Sequence, residues 1–89
     1  MSEEERKEGA RLIEEKIRET FSSSGKTVED IQWNIDRGGE LRDYESHTIH
    51  VTVDGKELKL TDVPKEAIED YPGGAGTEIL DANIRDLAK

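Results

Sequence analysis

Between Ile49 and Leu60 the sequence reads IHVTVDGKELKL, in which Ile49, Val51 and Val53 alternate with polar residues and Leu58 and Leu60 alternate on the return. The intervening Asp54-Gly55 is the favoured two-residue loop of an antiparallel hairpin, because its backbone twist matches that of the strands it joins. The loop also sets the register. With Val53 opposite Lys56, Val51 faces Leu58 and Ile49 faces Leu60 on one side. Thr52 then faces Glu57, His50 faces Lys59 and Thr48 faces Thr61 on the other. A sheet built on this hairpin has one apolar face, which a second layer must cover, and one polar face open to water.

The covering layer is legible on both sides of the hairpin. From Ser2 to Phe21 the residues Ala10, Ile13, Ile17 and Phe21 recur at three- and four-residue steps, and Leu12 widens the stripe. This is the period of an amphipathic helix. Glu3, Glu4 and Glu5 complement the positive end of its dipole, and Glu3 with Lys7 and Glu14 with Arg18 have the favourable four-residue spacing. Gly9 costs about 1 kcal/mol relative to alanine, so fraying of the first turns is expected. Ser22-Ser23-Ser24-Gly25 ends the helix, with Gly25 as a left-handed cap.

Val28 to Ile35 predicts a first strand, with Ile31, Trp33 and Ile35 inward and Gln32 and Asn34 outward, until Asp36-Arg37-Gly38-Gly39 breaks it. Trp33, flanked by Ile31 and Ile35 at strand spacing, reads as a core residue. Residues 40–46 read as a loop. After the hairpin, Pro64 suits the first turn of a short helix with Ala67, Ile68 and Tyr71 on its apolar face, and Pro72-Gly73-Gly74 stops it. A last helix begins near Thr77, with Leu80, Ile84 and Leu87 as its stripe and Ile79 and Ala88 beside it. The expected fold is a single α+β domain over 1–89, in the order α-β-β-β-α-α: two layers, a three-stranded antiparallel sheet with helices packed on one face.

Charge narrows the partners. The chain carries 13 Lys+Arg against 22 Asp+Glu, a net −9, and no third of it is basic. Nucleic acid and anionic membranes are therefore not expected to bind. No run approaches the length of a membrane span, and Ser2-Glu3-Glu4-Glu5 is the reverse of a basic signal-peptide start. The absence of cysteine removes disulfides, thiolate zinc sites and cysteine nucleophiles, and the expected location is cytoplasmic. No cofactor is expected. A core this small makes a homodimer worth testing.

Few residue groups point to chemistry. Gly25-Lys26-Thr27 resembles the end of a phosphate-binding loop, but Thr20 stands where the leading glycine belongs and a helix precedes it. Gly73-Gly74-Ala75-Gly76 precedes a helix, yet Glu78 and Asp81 would repel an anion there. Asp43, Glu45 and His47 alternate, so an extended chain would put all three on one face as metal ligands, although they would span about 13 Å. His50 lies on the other face without a nucleophile or an orienting carboxylate. A non-enzymatic protein-interaction domain is the resulting expectation, with Gln32, Asn34, Thr48, His50, Thr52 and Lys59 on the open sheet face, or an unpaired strand edge, meeting the partner. The metal site at Asp43, Glu45 and His47, binding or hydrolytic, is the alternative. The ordered charge pairs and the hairpin also resemble design rules, against which stand Gly9, Ser22–Ser24 and the glycines at 73–76.

Overall fold

The computed structural model describes residues 2–74 and 77–89. The chain forms α1 (Ser2–Ser23), β1 (Val28–Trp33), β2 (Ser46–Val53), β3 (Lys56–Pro64), α2 (Lys65–Glu69) and α3 (Thr77–Leu87), with 3-10 turns at Ile35–Arg37 and Tyr71–Gly73. The sheet is antiparallel in the order β1-β2-β3. It is an α+β fold in the expected order, with α1 packed against β1 and with α2 and α3 packed against β3.

At the hairpin, Asp54 and Gly55 take φ 52° and 78°, and the register runs as expected from Val53 opposite Lys56 to Ile49 opposite Leu60. Beyond that point the expectation fails. His47 pairs with Val63, so β3 holds one extra residue across from Thr48, and Thr48 does not face Thr61 alone. Asp62 sits there with φ 56°. Regular alternation would have carried Leu58, Leu60 and Asp62 to the buried face, whereas the bulge turns Asp62 out and Val63 in, leaving Val63 only 3% exposed.

The first strand is also shorter than its alternation implied. It ends at Trp33, because Asn34 takes a left-handed φ of 47° and turns the chain into the 3-10 segment. Ile35 is consequently 45% exposed rather than part of the core. Ile31 and Trp33 do point inward, and Trp33 is buried.

Ala10, Ile13, Ile17 and Phe21 of α1 are buried as their spacing requires. The helix ends in a Schellman cap: Lys26 N donates to Phe21 O, Gly25 N donates to Ser22 O, and Gly25 has φ 76°. Glu3 and Lys7 pair at 3.7 Å. Glu14 and Arg18 are engaged elsewhere, Glu14 accepting from Trp33 Nε1 at 2.8 Å and Arg18 reaching Val28 O at 3.4 Å. Gly9 lies within an unbroken α1, buried where α1 meets α2, and a Cβ on it would stand 1.8 Å from Ile68 O. In α3, Leu80 and Ile84 are buried, Leu87 is half-buried and Ile79 is exposed, while Ala88 just beyond the helix is buried. Among the described residues no helix is long and apolar enough to cross a membrane.

Candidate functional site: the free edge of β1

Asn34 organises the end of β1. Because its carbonyl turns away to accept from Arg37 N and Gly39 N, its side chain takes over in the ladder, and Oδ1 accepts from Thr48 N at 2.9 Å. Nδ2 donates to Glu40 O and to His47 Nδ1, each at 2.8 Å. This fixes the amide orientation and makes His47 the tautomer protonated on Nε2. Asn34 is 1% exposed, so it is not on the open sheet face where alternation put it. The cause is the left-handed turn, which reverses the direction that strand spacing assigns to the side chain.

His47 is equally buried, and Nε2 has no partner within hydrogen-bonding geometry. Burial first, then the guanidinium of Arg6, pushes its pKa below the ordinary 6.5, with Arg37 adding to this and the Tyr44 backbone and Glu69 opposing it. Arg6 itself is 5% exposed and is held by Leu41 O at 3.0 Å and Glu69 Oε2 at 2.9 Å. Arg6 thus ties α1 to Leu41 of the loop before β2 and to α2, while Asn34 ties the end of β1 to β2.

The proposed metal ligands are not brought together. His47 faces the interior, whereas Asp43 is 71% exposed and bonded to Lys65 Nζ at 2.9 Å, and Glu45 is exposed. The loop is not extended, so the alternation that put the three on one face does not apply. Among the described residues no three His, Cys, Asp or Glu side chains are grouped to hold an ion. Gly25 lies in an exposed turn between a helix and a strand, and Ala75 and Gly76 of the other glycine segment fall outside the described residues.

The open face carries Gln32, His50 and Lys59 in one row across the strands, with Thr48 and Thr52 flanking His50. Gln32 and Lys59 are exposed and both threonines half-buried. Gln32 Nε2 donates to Asp30 Oδ2 at 2.8 Å. The His50 side chain is only 12% exposed, with both ring nitrogens shielded and Glu57 Oε1 3.5 Å from Nδ1. Neither ring nitrogen is placed to meet a partner.

The edge of β1 is more accessible. The bond from Asn34 N to Thr48 O makes that pair hydrogen-bonded, and in an antiparallel ladder such pairs recur at every second residue. With the register Gln32 to His50 and Asp30 to Thr52, the N–H and C=O of Ile31 and Trp33 point away from β2. Beside them lies a shallow groove of about 430 Å³ formed by Ile31, Gln32, Trp33, Ile35, Gly38 and Gly39. Gly38 and Gly39 have φ 77° and 75°, and nothing occupies the space a Cβ on Gly38 would take. Sequence spacing missed Ile35 and the glycines as groove residues, since it assigned Ile35 to the core; the Gly-Gly pair was the available signal of a chain reversal beside the strand. Compared with known proteins, the chain matches no family model, no curated protein and no solved structure.

Proposed function

We propose that this chain is a non-enzymatic interaction domain that takes an extended segment of a partner protein as an additional strand on the edge of β1. The observation that carries this reading is the outward N–H and C=O of Ile31 and Trp33 beside a groove that exposes Ile35. An incoming strand would meet two donors and two acceptors with matched spacing, each bond contributing about 1 kcal/mol net. Its alternate side chains would enter the groove against Ile35. Arg18 on Val28 O and the irregular pairing between Val28 and Asp30 confine the available edge to its second half. The net charge of −9 favours a segment with basic residues outside the groove. Contacts so few support a transient complex.

The test begins with selection of extended peptides from a random library on the intact domain, followed by amide spectra of the complex. Strand addition predicts shifts from Ile31 to Ile35 and slowed exchange at the Ile31 and Trp33 amides. N-methylation of alternate peptide nitrogens should abolish binding in one phase and leave it intact in the other. Ile35→Asp, at an exposed position, should weaken binding about tenfold, or about 1.4 kcal/mol. Peptides that bind without disturbing β1, or that tolerate N-methylation in both phases, would refute the proposal.

A further inference from the structure

The bulge in β3 leaves a second groove, enclosed by β3, α2 and α3 and holding about 300 Å³. Its apolar wall is built from Val63, Ala67, Leu80 and Ile79, and Ile79 is 74% exposed. Asp62, Glu66 and Asp70 line the same groove. Among the described residues none of these three carboxylates accepts a hydrogen bond or forms an ion pair, and Lys65, the cation beside them in sequence, is committed to Asp43 at 2.9 Å. The bulge that brings Val63 to the core is also what turns Asp62 outward.

We propose that this groove docks a partner segment presenting one apolar side chain flanked by lysine or arginine. The apolar wall supplies a driving force in proportion to the apolar surface it removes from water. The unpaired carboxylates select the sign of the flanking charge, since an acidic segment would meet three like charges on the groove wall. Glu66 and Asp70 are four residues apart on one helical turn, so two cations about 6 Å apart on the partner match them. A cavity of this size accommodates one large side chain rather than a whole helix face. The groove lies against β3, and β2 separates that strand from β1, so the inference does not rest on strand addition.

The experiment uses the full chain and two synthetic peptides of equal length, each with one central leucine, flanked by lysine in one and by glutamate in the other. Amide spectra at about 0.15 M salt, where the screening length is about 8 Å, suppress nonspecific attraction. Only the lysine peptide should give saturable shifts, confined to residues 61–70 and 79–83. Ile79→Arg and Glu66→Lys, both at exposed positions, should each weaken it about tenfold or more while their spectra stay dispersed. Shifts spread equally over the acidic face of α1, or unchanged affinity in Ile79→Arg, would overturn the proposal. So would hexylammonium ion binding as tightly as the peptide, because the groove would then be a small-molecule cavity.

Discussion

His47 is a strand residue whose buried imidazole is held by the Asn34 amide and stands beside the Tyr44 ring, and it feels the charges of Arg6 from α1, Arg37 from the 3-10 turn and Glu69 from α2. Nδ1 already accepts from Asn34, so protonation there would set donor against donor and turn the amide out of its bonds to Thr48 and Glu40. The folded pKa therefore lies below the unfolded value near 6.5, and the native state binds fewer protons. Stability is fully present above the unfolded value and is lost as pH falls through it toward the folded value. Urea unfolding at pH 7 and pH 5 should register this as a decline of at most about 1.4 kcal/mol per pH unit. The depressed carboxylates Asp43 and Glu8, whose ordinary values are 3.8 and 4.5, titrate below that window. His47→Asn, which retains an acceptor for the Asn34 amide, should flatten the slope. An equal slope in the variant would assign the decline to other groups.

Among the elements, α1 and α2 show how propensity and packing oppose each other. Alanine at position 9 would favour the helix by about 1 kcal/mol. Its Cβ, however, would stand 1.8 Å from the Ile68 carbonyl oxygen, a contact that only separation of the two helices can relieve. Overpacking of this kind costs about 1–3 kcal/mol, so Gly9→Ala is expected to lower the denaturation midpoint. A raised midpoint would mean that the helices can part at no cost. Helix spacing located α1 because Ala10, Ile13, Ile17 and Phe21 report a local period, but Gly9 registered only as a weakness, because the carbonyl it accommodates is 59 residues away in sequence. β3 teaches the same lesson. Asp54-Gly55 set the register through Ile49 and Leu60, while the bulge at Asp62 depended on which residue the core would accept next.

For the whole molecule, charge is the dominant long-range quantity. A net −9 on a chain of 89 residues repels itself, while the ion pairs of Glu3 with Lys7 and of Arg11 with Glu8 and Glu15 lie at the surface and contribute little. The thermal midpoint should therefore rise as salt is raised from a low value to about 0.15 M. A fall would show that the surface pairs outweigh the general repulsion.

The sequence by itself determined the order of elements, the antiparallel sheet, the hairpin register as far as Ile49 and Leu60, and the buried stripes of α1 and α3. Each follows from periodicity or turn chemistry, which act over a few residues. Only the tertiary structure decided that Asn34 faces inward and completes the ladder, that His47 is enclosed and separated from Asp43, and that Ile35 and Ile79 line grooves. The reason is physical: a left-handed residue or a bulge reverses which side of the chain is buried, and which reversal occurs is set by the distant groups that pack there.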